Sequence, residues 1–121
     1  MVCTQHWPDG ALEDAANVIY FRVRERWHRL YFDFGTVFWR SDVDAVPNYP
    51  ATASPDESFV NVDLGSKLSI VDRTISSCVT DPVGEYDSKV TFHFDGGGSL
   101  WFTCVGDLTS VEHSGLGHRG T

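Results

Sequence analysis

Hydrophobic and polar residues alternate along most of this chain, and the period is two. Ile19, Phe21 and Val23 alternate with Tyr20, Arg22 and Arg24. That pattern predicts a strand with one buried and one basic face. Leu30, Phe32 and Phe34 alternate with Tyr31 and Asp33, and Gly35-Thr36 marks a turn into a third strand over Val37 to Ser41. Phe59 to Leu64 alternates again, with Val60, Val62 and Leu64 on one side. Leu68 and Ile70, then Ile75, Ser77 and Val79, predict two more short strands. The clearest strand is Val90, Phe92 and Phe94 against Thr91, His93 and Asp95. Asp95-Gly96-Gly97-Gly98 then makes a hairpin connection into Leu100, Phe102 and Cys104, because glycine takes the positive φ of such turns. A last short element is expected around Leu108 to Val111.

The remainder is irregular. Pro8 to Asn17 predicts a short helix, capped by Asp9 and closed by Asn17. Arg24 to Arg29 looks like a connection. Residues 42–57 hold Pro47, Pro50 and Pro55 among small and acidic residues, which predicts a long loop. Asp81-Pro82 and Gly84 signal a turn. Residues 114–121 read as a frayed tail.

The two clearest hairpins match without a gap at an offset of 62 residues. Leu30-Tyr31-Phe32-Asp33 aligns with Phe92-His93-Phe94-Asp95, Gly35 with Gly97, and Trp39 with Trp101. The chain therefore reads as one domain with two related units, about 18–41 and 74–104. The expected class is mainly β: an antiparallel sheet or two-sheet sandwich, with one or two short helices.

A length of 121 residues suits a single core. The formal charge of −8 opposes a general grip on nucleic acid and suits a basic protein partner. That charge is unevenly spread. Residues 1–40 hold five acids and five bases, and the remaining 81 hold twelve acids and four bases. The excess falls in loop-like stretches: Asp42 and Asp44, Asp56 and Glu57, then Asp81, Glu85 and Asp87. No membrane span or signal peptide is read, so neither a membrane nor an export route is expected.

Candidate chemistry is thin. Cys3, Cys78 and Cys104 make a poor disulfide framework and suggest a reducing cytoplasm, although a Cys78–Cys104 bridge stays open. Cys3-x2-His6 and His113-x4-His118 contain zinc-type ligands but sit in expected tails, so no metal or other cofactor is assigned. Cys78, His93 and Asp95 are of the right types for thiol, base and orienter, yet Asp95 is better explained by its turn. The carboxylate loops lack calcium-loop spacing, and Gly96-Gly97-Gly98 lacks the Lys-Ser/Thr of a phosphate loop. Arg22, Arg24, Arg26 and Arg29 interleave with Tyr20, Trp27 and Tyr31. They are expected to pair with acids on neighbouring strands rather than to hold nucleic acid.

In size, acidity and lack of catalytic residues the chain resembles, as a class, the immunity proteins of bacterial toxin systems of the contact-dependent growth inhibition type. That resemblance implies a cytoplasmic, non-enzymatic protein that binds a cognate toxin domain, often a basic nuclease. Asp42, Asp44, Asp56, Glu57, Asp81, Glu85 and Asp87 would then meet toxin lysines and arginines, with Tyr49 as an aromatic anchor. The alternative is a structural or ligand-binding β module, homodimeric through strand edges. A small hydrolase or metal enzyme is the third reading.

Overall fold

The computed structural model describes residues 1–33, 36–43 and 46–116, with the backbone alone at 42 and 43. Two antiparallel sheets make up the fold. The strands are β1 (Val2–His6), β2 (Asp14–Val23), β3 (Arg26–Asp33), β4 (Thr36–Val43), β5 (Phe59–Asp63), β6 (Ile75–Pro82), β7 (Ser88–Phe94), β8 (Ser99–Val105) and β9 (Leu108–Ser114). The five-stranded sheet has the order β4-β3-β2-β1-β5, and the four-stranded sheet β6-β7-β8-β9. A four-residue helix, α1 (Leu64–Lys67), follows β5. The mainly β, two-sheet expectation holds.

Alternation explains the layering. Ile19 pairs with Leu30, which pairs with Trp39, so these three share the inner face of the larger sheet. Phe92 pairs with Leu100 on the inner face of the smaller one. The Phe21 and Phe92 rings meet edge to face at 5.3 Å between the sheets. Ile19, Leu30, Val90, Phe92, Leu100 and Phe102 are all fully buried in one continuous core. Burial of this kind supplies most of the drive to fold, at roughly 1.5–3 kcal/mol per large apolar side chain.

Several local expectations fail, each for a physical reason. Residues 2–6 are not a tail but β1, paired on both sides by β2 and β5. Five residues show too little alternation to stand out from the sequence. The helix over 8–17 is only a 3-10 turn at Pro8–Gly10, and β2 begins at Asp14. Tertiary pairing with β1 overrides a weak local propensity there. The connection over 24–29 shrinks to Arg24-Glu25, both at positive φ (52° and 67°), and β3 starts at Arg26. Leu68 and Ile70 are buried but not in a strand; they follow α1, which Asp63 caps by accepting from the Ser66 N–H at 3.2 Å. Leu116 is buried against the core rather than frayed, while 117–121 lie outside the described residues, as do Phe34 and Gly35 of the first turn. The Pro-rich stretch is a loop over 46–57, with an isolated bridge between Ser54 and Glu57, but 42 and 43 of the expected loop belong to β4, and 44 and 45 lie outside the described residues.

The two hairpins of the offset-62 match are both present, each preceded by a strand, but their registers differ by one residue. Leu30 pairs with Trp39, whereas Phe92 pairs with Leu100. A one-residue difference reverses the face. Trp39 therefore faces inward, 6.3 Å from Phe92, while Trp101 faces outward beneath Lys89 at 5.2 Å. The Gly-rich turn is held by main-chain bonds and by the Arg73 guanidinium on the carbonyls of Asp95 and Gly97.

Candidate functional site

Strand direction fixes where the acidic loops fall. β1 ends at His6 opposite Asp14 at the start of β2 and Phe59 at the start of β5. One end of the larger sheet thus carries Glu13, Asp14, Asp56 and Glu57. Trp7 N–H donates to the Ser58 carbonyl there at 2.7 Å. Asp14 joins this end to the smaller sheet. Its Oδ1 accepts from the Thr109 N–H at 3.1 Å and from the Ala16 N–H at 3.2 Å. Thr109 pairs with Cys104 beside the β8–β9 turn, and the Gly106 N–H of that turn donates to Asp87 Oδ1 at 3.2 Å. Asp87 closes the β6–β7 turn, where the Val83 N–H donates to its carbonyl at 3.1 Å. Asp81, Glu85, Asp87 and Asp107 therefore stand at the same end of the molecule as Glu13, Asp56 and Glu57. The chain of hydrogen bonds and strand pairings from Ser58 to Asp87 is continuous.

Within this end the carboxylates differ. Asp56, Asp81 and Glu85 are exposed. Glu57 is half-buried and accepts from the Phe59 N–H at 3.0 Å, and Asp87 is half-buried and occupied by Gly106. Asp14 is buried, and burial pushes its carboxyl above the ordinary carboxylate range against the pull of its two amide donors. Its role is to tie the sheets together. Nothing in the sequence marks this role, because residues 8–17 read as a short helix, whereas Asp14 opens β2.

Asp42 does not join this group, and Tyr49 lies on the outer face rather than on the acidic turns. Asp42 occupies the bulge at the far end of β4, where Val43 pairs with Trp27 and Ser41 with His28. Its side chain and all of Asp44 lie outside the described residues. Tyr49 is half-buried and packs 5.6 Å from Phe59, on the outer face of the larger sheet. That face is covered there by the loop: Asn61 Nδ2 donates to the Pro47 carbonyl, and the Asn61 N–H to the Pro50 carbonyl.

The chemical constellations considered from sequence are separated. Cys78 pairs with Phe92 on the inner side of β6, while His93 points outward and bonds Ser99 at 2.8 Å. A bulge between Ile75 and Ser77 shifts the phase of β6 and turns Cys78 rather than Val79 inward. Cys3 is buried on the inner face, and burial pushes its thiol well above the ordinary range. His6 lies on the outer face, stacked on Phe59 at 4.8 Å and 3.2 Å from Glu13. His118 is outside the described residues. All three cysteines are free, so the Cys78–Cys104 bridge does not form; β7 lies between their strands. Among the described residues no cluster of His, Cys, Asp or Glu could hold a metal, and no helix is long and apolar enough to cross a membrane.

The sheets leave openings between them. One, of about 290 Å³, lies beside β1, β5 and β9 and includes Cys3, Gln5, Lys67 and His113 in its lining. Another, of about 240 Å³, is lined by Phe21, Val23, His28, Trp39, Ile75, Cys78 and Phe92. Trp39 Nε1 donates to His28 Nδ1 at 3.0 Å. An indole N–H only donates, so that ring nitrogen is the unprotonated one.

No protein family, no curated protein and no solved structure matches this chain.

Proposed function

We propose that this chain is a binding protein that neutralises a basic protein partner, in the manner of the immunity proteins of bacterial toxin systems. The acidic end would be its contact surface. One observation carries the reading: acidic loops far apart in sequence, 56–57, 81–87 and 107, stand together at one end through the Asp14–Thr109 and Asp87–Gly106 bonds. Carboxylates on turns at the rim of a rigid scaffold can meet lysines and arginines without reshaping the fold. Exposed charges of this kind act chiefly on the rate and selectivity of encounter. The partner would be a toxin domain whose basic surface grips nucleic acid, and an acidic end seated there would block that substrate's path.

The test is growth of a host expressing the product of the reading frame immediately upstream. Co-expression of this chain restores growth if the reading holds. The quadruple variant Asp56→Lys, Asp81→Lys, Glu85→Lys, Asp107→Lys should lose protection while keeping its fold by circular dichroism. A harmless upstream product, or protection undiminished by that variant, overturns the reading.

A further inference from the structure

β5 and β9 are edge strands of their sheets, and both line the opening of about 290 Å³. Register sets what faces into it. The buried Cys3 pairs with Val62, and Val111 pairs with the buried Phe102. Facing residues on paired strands share a side, so these four point between the sheets. His113 pairs with the buried Leu100 and follows the same rule. Leu64 and Leu68 add to the apolar wall. They reach it because α1 turns the chain directly after β5, where Asp63 accepts from the Ser66 N–H at 3.2 Å and from its hydroxyl at 2.9 Å.

The charge of the lining has one sign. Lys67, in the last turn of α1, brings an ammonium, and His113 brings a ring with at least one N–H. Among the described residues neither has an ion-pair partner, and no Asp or Glu lines the opening. Gln5 lines it too, but its side-chain oxygen already accepts from Trp7 Nε1 at 2.9 Å. The Cys3 thiol stays neutral, because burial pushes it well above the ordinary range. Nearby carboxylates are turned elsewhere: Asp63 is taken up by Ser66, and Glu112 pairs with the outward Trp101. Asp42 and Asp44, whose side chains lie outside the described residues, fall on β4 or directly after it in the chain. β4 is the opposite edge of the sheet from β5, roughly 19 Å away at ordinary strand spacing. Residues 117–121 contain no acidic side chain.

An apolar chamber with a few polar groups is the common form of a small-molecule site, and this one is just under the usual range of roughly 300–1,000 Å³. We propose that the opening between β5 and β9 takes a small monocarboxylate with an apolar tail. The tail lies against Val62, Leu64, Leu68 and Val111, and the carboxylate meets the Lys67 ammonium and the His113 N–H. A cationic head would face Lys67 as a like charge. A head of higher negative charge would find a single lysine on a molecule of net charge −8. This site is separate from the acidic turns and does not rest on the toxin reading.

The experiment is an amide chemical-shift titration of the full chain with octanoate, in parallel with octylammonium, octan-1-ol and octyl phosphate. The proposal expects octanoate to bind most tightly, with shifts at Cys3, Val62, Leu68, Val111 and His113. Lys67→Gln should weaken octanoate about threefold, the ordinary share of an exposed ion pair, and leave octan-1-ol unchanged. Val62→Phe should fill the opening and weaken both. Absence of shifts at those residues in the millimolar range, equal or tighter binding of any of the other three compounds, or an octanoate affinity unchanged by Lys67→Gln overturns it.

Discussion

Asp14 is the residue on which the architecture turns. It is a buried carboxylate whose one oxygen serves an amide of its own strand and an amide of the opposite sheet. Asparagine keeps an oxygen in that place without the buried charge. Asp14→Asn should therefore be at least as stable as the parent at neutral pH by urea unfolding. Asp14→Ala should lose about 1–3 kcal/mol, because two buried amides lose their acceptor. The pH dependence follows from the sign of the shift. The folded carboxyl titrates above its unfolded value of 3.8. The stability its proton contributes is full below 3.8 and is lost as pH rises through the higher folded value. The advantage of Asp14→Asn over the parent should thus widen as pH climbs through that window, and a constant gap would contradict the account. Cysteine chemistry is also settled residue by residue. Cys78 is exposed, whereas Cys3 and Cys104 are buried. A thiol reagent at mildly alkaline pH should label one cysteine quickly and the other two only on unfolding.

At the scale of elements, the turns carry the constraints. Gly98 sits at φ 93°, and a Cβ there would come within 2.6 Å of the Leu116 side chain. Gly98→Ala should cost more than about 1 kcal/mol, by strain and by displacing the segment that Leu116 anchors. The Arg24-Glu25 turn has both central residues at positive φ, the geometry that favours Asn-Gly. Replacing the pair with Asn-Gly should raise the unfolding midpoint modestly, by an amount on the order of 0.5–1 kcal/mol in stability. These turns also show what the sequence could and could not reveal. Long alternating runs such as Val90–Phe94 and Leu100–Cys104 announce their strands and inner faces, because side-chain direction has a strict period of two. Arg24-Glu25 carries no turn residue, so the close β2–β3 hairpin was invisible. β1 was invisible because its place comes from partners on both sides rather than from its own residues. The β6 bulge, with no glycine to mark it, hid the inward turn of Cys78.

At the scale of the molecule, much of the charge of −8 falls on loops that share one end. The acidity of the loops could be read from composition, and so could most of the residues gathered at one end. Their convergence could not, because it depends on strand direction and on the single Asp14–Thr109 link between sheets. Nor could the placing of Arg22 against the Trp27 ring and of Arg29 against the Tyr31 ring, which depends on register. The central claim is that the acidic end meets a basic partner. Its most direct test is the association rate with the upstream product, measured across ionic strength for the parent and for the Asp56, Asp81, Glu85 and Asp107 lysine variant. The account predicts a parent rate that falls steeply with added salt and a variant rate that is slow and nearly flat. Superimposable salt curves for the two proteins would contradict it.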